Sequence, residues 1–262
     1  MDMTCKIQPI SAFNDNYIWI IVQGNNAVVI DPGQAEPVLE VLRAQNLDLR
    51  AILVTHHHAD HVGGIAGLRE HTGAKVFGPA TESIPFCDVP LQEGDRVGID
   101  GFSWSLSVLE VPGHTLGHIA YYGDINPNEP VLFCGDTLFA TGCGRIFEGN
   151  PTQMYQSIDK FRKLPQNTRV FCAHEYTLSN IEWALAVEGS NPDLQQWSQE
   201  ARLIRNQQKP TVPTTVGHEL KTNPFMRVEC ESVINAAQDK AGRSLNAPAE
   251  VFAVLRDWKN SF

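Results

Sequence analysis

The chain has 262 residues, enough to bury a core as one large domain or two modest ones. Its 42% hydrophobic and 19% charged residues are the proportions of a water-soluble globular protein. The formal charge of −10 divides into −8 up to residue 174 and −2 beyond it, which excludes an electrostatic footprint for nucleic acid, and no run of 18 apolar residues marks a membrane span. The opening stretch MDMTCKIQPISAFNDNYIWIIV lacks the basic-then-apolar pattern of a secretory leader. Six scattered cysteines without a C-x-x-C pair suit a reducing, cytoplasmic compartment.

In chain order, YIWIIV (17–22) and AVVID (27–31) predict adjacent strands joined by a turn at GNN. EPVLEVLRAQN (36–46) has helical periodicity with proline near its start. RAILVT (50–55) is a buried-strand run that leads straight into HHHADH, and GGIAGLREHTG (63–73) predicts a helix closed by Gly73, followed by strand KVFG. A second series predicts strands at 102–111, 118–123 and 130–136, a helix at 151–164 and a strand at 169–174. Beyond His174 the apolar residues recur at three- and four-residue spacing and strand signals nearly vanish. The expected organisation is an α/β domain over residues 1–174 and a smaller all-helical domain over 175–262.

Residues 56–61 hold four histidines and an aspartate. A helical zinc site pairing His57 with His61 would need glutamate at position 58, where histidine stands, and Gly63-Gly64 follows at once. In extended backbone, residues two apart share a side, so His56 and His58 converge while His57 points away and should tolerate substitution better. A turn after Ala59 would aim Asp60 and His61 at a neighbouring point. Imidazole and carboxylate donors suit zinc, iron or manganese and argue against a thiolate zinc finger. His114 follows a strand and a Pro-Gly turn, and Asp136 and His174 each follow a buried strand. Singly, such an aspartate can be a helix cap and His118 can be packing. Together they repeat one pattern, a strand end carrying His or Asp, which is what a metal site in an α/β crevice requires. Asp31, in VVIDPG, reads equally as a turn residue or as an acceptor that fixes a histidine tautomer.

The motifs THHHADHVGG, PGHT, GDT and AHEY, in that order and with a helical C-terminal segment containing R-x-x-K, resemble the metallo-β-lactamase superfamily and, within it, glyoxalase II (hydroxyacylglutathione hydrolase). The resemblance implies an αββα sandwich with a dinuclear site. His56, His58 and His114 would hold one metal, Asp60, His61 and His174 the other, and Asp136 would bridge them. It implies two divalent ions per chain, zinc first, with iron or manganese as alternatives. The implied reaction is hydrolysis of S-D-lactoylglutathione, and of other 2-hydroxyacylglutathiones, by a metal-bound hydroxide that Asp60 orients. Arg145, Tyr176, Arg256 and Lys259 would bind the glutathione; taken alone, the last two also read as the cationic end of a helix. Some family members carry Lys and Tyr where this chain has Arg145 and Phe147, which loses a hydroxyl. The partner implied is a small-molecule thioester, with no nucleic acid or membrane, and nothing demands more than a monomer. The alternative is a glutathione persulfide dioxygenase using a single iron; the full seven-residue ligand set disfavours it.

Overall fold

The computed structural model describes residues 4–262, so the first three residues of the stretch read for a leader lie outside it. The chain forms two compact units, both discontinuous in sequence: residues up to Glu110 with Gly117–Gly135, and Val111–Leu116 with Asp136–Phe262.

The first unit is built on a six-stranded sheet in the order β1-β2-β3-β4-β5-β6: β1 (Lys6–Ala12), β2 (Asn16–Gln23), β3 (Asn26–Ile30), β4 (Asp48–Leu53), β5 (Lys75–Pro79) and β6 (Val89–Leu91). The first three strands are antiparallel and the last four run parallel. Helices α1 (Glu36–Gln45), α2 (Ala59–Val62) and α3 (Ile65–Thr72) lie between these strands in sequence. Val38, Leu39 and Leu42 of α1 and Ile65 and Leu68 of α3 share a core with Ile18, Ile20, Val29, Ile52 and Val76. Side chains alternate across a strand, so Trp19, Ile21, Val28 and Leu53, also buried, occupy the opposite face. That face is covered by an antiparallel meander of β7 (Arg96–Gly98), β8 (Ser105–Glu110), β9 (Ile119–Asn126) and β10 (Glu129–Gly135). Tyr121 on β9 donates to the Val54 carbonyl at 2.8 Å, and Trp104 Nε1 lies 3.1 Å from Cys5 Sγ. A sheet buried on both faces explains why YIWIIV and AVVID are continuously apolar rather than alternating.

The second unit contains a tight hairpin of β11 (Leu138–Phe139) and β12 (Gly142–Cys143), helix α4 (Pro151–Arg162), β13 (Arg169–Cys172), α5 (Thr177–Glu188), α6 (Pro192–Asn206), β14 (Thr214–Thr215), α7 (Val216–Thr222), α8 (Glu231–Ala241) and α9 (Pro248–Asn260). Helix α4 starts with a full capping box between Asn150 and Gln153. Trp183 stacks on Phe225 at 4.8 Å, and Phe225 meets Phe252 at 5.0 Å, tying α5 to α9. Among the described residues, no helix is long and apolar enough to cross a membrane.

Most predicted elements are present within a few residues. Strand β1 has no counterpart among them: it is an edge strand containing Pro9 whose residues mostly face outward, so it lacks an apolar run. The turn expected after Ala59 is a single helical turn, α2, with His58 extended at its N-cap.

Candidate active site

In the parallel pair β3/β4, Ile30 lies beside Leu53, so the two strands end together. Asp31 follows directly, with φ +53°, a left-handed backbone that is uncommon for a side chain larger than glycine. Its carboxylate accepts from the Thr55 amide at 2.7 Å and from the Thr55 hydroxyl at 2.8 Å. Having donated its proton, the Thr55 hydroxyl can accept from His56 Nδ1, 3.0 Å away. That fixes the His56 tautomer and leaves Nε2 with a bare lone pair, facing His58 Nδ1 at 3.1 Å. Asp31 Oδ2 also lies 3.1 Å from His61 Nδ1. Asp31 is therefore more than a turn residue: its buried carboxylate holds Thr55, the neighbour of His56, and lies beside His61.

The neighbouring pair forms on α2, where Asp60 Oδ2 lies 3.5 Å from His61 Nε2. Asn16, the first residue of β2 and itself buried, donates to the same Asp60 oxygen at 2.9 Å. His57 turns the other way, to Glu82. His118 is fully buried and its ring stacks on His56 at 4.6 Å. Gly135 keeps that space open. At φ +48°, an added Cβ would stand 2.3 Å from the Thr55 hydroxyl and 2.8 Å from His118 Nε2.

The second unit carries His114, Asp136 and His174. His114 Nδ1 donates to the Arg145 carbonyl at 2.7 Å, which turns Nε2 towards Asp136 Oδ2, 3.4 Å away. His174 Nε2 lies 3.4 Å from the other oxygen, Oδ1. Asp136 thus offers one oxygen to each of two histidines. Two donors bound about 2.1 Å from a tetrahedral ion are roughly 3.4 Å apart. The pairs His56/His58, Asp60/His61, His114/Asp136 and His174/Asp136 all stand near that spacing, so the donor set fits metal ions. Among the described residues, the groupings able to hold a metal consist of histidine and aspartate, without cysteine.

Beside His114 and Asp136, the second unit encloses a cavity of about 400 Å³ also lined by Arg145, Tyr176, Arg256 and Lys259, the residues the sequence suggested for substrate. Tyr176 stacks on His174 at 4.7 Å, nearly parallel, with Phe139 edge-on to both rings. Phe147, mostly exposed, meets His114 edge-on at 5.3 Å. Burial lowers the Lys259 pKa to about 8, helped by repulsion from Arg256 and Arg145. A pocket so rich in positive charge suits a ligand with carboxylates.

One wall of the cavity is the β11–β12 hairpin, and sequence reasoning missed what holds it. Residues 138–144 are all buried, so their backbone polar groups need partners. The carbonyls of Phe139 and Gly142 accept from Asn223, that of Ala140 from Asn180, and those of Cys143 and Gly144 from Arg256 Nη1. The Thr141 amide donates to Glu219 at 2.8 Å, and its hydroxyl accepts from Trp197. Thr141 is a β-branched residue at φ +59°, a strained position that these contacts hold in place.

A family model for the hydroxyacylglutathione hydrolase C-terminus matches residues 175–262, and one for the metallo-β-lactamase superfamily matches 13–174. A hydroxyacylglutathione hydrolase from Pseudomonas aeruginosa (strain LESB58) is 51% identical, across 98% of this chain and 99% of that protein. Another, from Nitrosomonas europaea, is 50% identical across 98% and 96%. The solved structure of TTHA1623 in a di-iron-bound form superposes with a TM-score of 0.59 at 27% identity, covering 83% of this chain and 99% of that one. The fold is the αββα sandwich of the metallo-β-lactamases with a separate helical C-terminal domain, and the chain is a metal-binding hydrolase. It belongs to the hydroxyacylglutathione hydrolase family of that superfamily.

Proposed function

We propose that this chain hydrolyses S-D-lactoylglutathione and related 2-hydroxyacylglutathiones at a centre of two divalent ions. His56, His58 and His114 would hold one ion and Asp60, His61 and His174 the other, with Asp136 a ligand to both. The observation that carries this reading is Asp136, whose two oxygens each face a different histidine at 3.4 Å. The di-iron form of TTHA1623, a structural relative, supports a paired site. A donor set of imidazole and carboxylate supports zinc first, with iron or manganese able to replace it.

Two such ions would supply a water of near-neutral pKa and electrostatic stabilisation for the oxyanion of an attacked carbonyl. The protein's own contribution is orientation. Asn16 donates to Asp60 Oδ2 and holds that carboxylate beside His61, where it would orient the attacking water. Asp31 and the Arg145 carbonyl keep the histidine tautomers fit for coordination. No general acid is needed for the departing sulfur, since a thiol of pKa about 8.5 leaves readily as thiolate.

Residues 1–174 act as the catalytic domain and 175–262 as the substrate-binding domain. Lys259 and Arg256 meet a glutathione carboxylate, with Tyr176 and Arg145 along its backbone. Arg256 spends Nη1 on two carbonyls and Nε on Asn260, so Nη2 is the nitrogen it offers. Six free cysteines support a reducing, cytoplasmic setting.

The test is a metal count on the purified enzyme together with a thioester assay: two ions per chain and release of glutathione are expected. One ion per chain, or oxygen uptake with glutathione persulfide and no thioester cleavage, overturns the reading in favour of the dioxygenase.

A pH dependence follows from Lys259. Its folded pKa is depressed to about 8, so the free enzyme loses this cation as pH rises through 8. The KM for glutathione thioesters should climb across pH 7–9, several-fold, with kcat changing less because a bound carboxylate holds Lys259 protonated. Lys259→Ala should flatten that rise and should not alter the KM of a thioester lacking glutathione. Equal pH profiles in wild type and variant would remove Lys259 from recognition.

A further inference from the structure

The histidine loop is clamped by a glutamate that the mechanism above does not use. Glu82 lies just beyond β5, and its side chain is 3% exposed. One carboxylate oxygen accepts from the His57 amide at 2.6 Å and lies 2.9 Å from His57 Nδ1. The other accepts from the Gly117 amide at 3.1 Å. Gly117 precedes His118, the ring that stacks on His56, and the Ile119 amide donates to the Thr55 carbonyl at 2.9 Å. A side chain at 117 would press into the clamp: an added Cβ would stand 2.5 Å from Glu82 Cγ and 2.4 Å from the Thr81 hydroxyl.

We infer that Glu82 is a positioning residue for the metal centre. It sets the backbone between His56 and His58, and so the spacing of that ligand pair, while fixing the loop that brings His118 against His56. The inference rests on the reading of His56 and His58 as metal ligands. A buried carboxylate with three donors at hand is costly to leave half satisfied, so its loss is transmitted to the backbone it holds. His57 is the visible half of the clamp. Its ring adds one contact to Glu82, but its amide donates whatever the side chain is. Loss of the His57 ring should therefore cost less than loss of the Glu82 carboxylate.

The experiment uses the purified, metal-loaded enzyme as wild type, Glu82→Gln, Glu82→Ala and His57→Ala. Each is followed by the rate of metal release to a chelator, by the visible spectrum of the cobalt-substituted form, and by separate kcat and KM for a glutathione thioester. Partners of ligand-bearing groups are typically worth about 10- to 100-fold in metal affinity or activity. Glu82→Gln should release metal roughly 10-fold faster and shift the cobalt spectrum. Its kcat should fall while KM stays within about twofold, since the glutathione cavity is built elsewhere. Glu82→Ala should be worse and His57→Ala milder than either. If Glu82→Gln matches wild type in metal release and cobalt spectrum, with only its melting temperature lowered, Glu82 is a structural staple and the inference falls. It falls equally if His57→Ala is the more damaging change. A wild-type enzyme that holds no metal would show instead that the ligand assignment itself is wrong.

Discussion

Asp136→Ala should leave an enzyme that binds less metal and turns over thioester at least about 10³-fold more slowly. Removal of a single oxyanion donor already costs roughly 10²–10³-fold in enzymes of this kind of chemistry. Asp136 does more, because each of its oxygens stands 3.4 Å from a different histidine nitrogen. On the proposed assignment, its loss would remove a ligand from both positions at once. Asp136→Asn should retain one oxygen and fall between the two, with one ion bound more weakly than the other. Metal analysis after dialysis, paired with kcat, checks this directly. Full occupancy of two ions in Asp136→Ala would show that Asp136 is not the bridge.

The second large effect lies away from the metals, at Glu219. This carboxyl is wholly buried, and burial raises its pKa from 4.5 to about 7 despite hydrogen bonds from Thr214, Thr141 and Asn223. Between those two pH values the folded chain keeps a proton that the unfolded chain has released. The contribution of this group to stability is therefore fully present below pH 4.5 and is lost as pH rises through 7, over a span worth roughly 3 kcal/mol. A glutamine there is neutral at every pH: its oxygen can accept from Thr141 and Asn223 while its NH₂ donates to the Thr214 hydroxyl. Glu219→Gln should thus melt higher than wild type at pH 8 and at or below it at pH 5. Glu219→Ala should lose about 3 kcal/mol or more at pH 5, by leaving the Thr141 amide and Asn223 without their acceptor. It should also raise KM as the hairpin wall relaxes. Melts at the two pH values separate these outcomes, and parallel shifts of wild type and Glu219→Gln would refute the ionisation argument.

The proposed metal ligands stand out in the sequence because His56, His114, Asp136 and His174 each come soon after a strand, where an α/β fold presents its chemistry, with Asp60 and His61 on the short helix α2 that follows. The direction of His57 follows from the two-residue period of extended chain, and it does turn to Glu82 while His56 and His58 face each other. The supporting residues are not legible. Asn16 meets Asp60 across 44 positions, Glu82 meets Gly117 across 35, and Asn223 meets Phe139 across 84. A lone polar residue has no period and no spacing rule, so nothing local distinguishes a buried organiser from a surface side chain. Strand β1 and the four-residue helix α2 escape for a related reason: one is a polar edge, and the other is too short to show a 3.6-residue period.

The solvation of the β11–β12 hairpin bears on how such enzymes can be rebuilt. Its carbonyls at Phe139, Ala140, Gly142, Cys143 and Gly144 and its Thr141 amide are met by Asn180, Glu219, Asn223 and Arg256, all beyond residue 174. A foreign helical segment grafted over that hairpin without those four side chains would leave four backbone groups dry, since Phe139 and Gly142 keep each other in the β11–β12 ladder, at about 1–3 kcal/mol each. That total is comparable with the whole net stability of a typical domain, about 5–15 kcal/mol. Recombination between relatives should therefore exchange the hairpin and its helical cover as one cassette. Outside those contacts, acyl or thiol preference can be varied at Phe147 and Lys259, which line the cavity without hydrogen-bonding the hairpin.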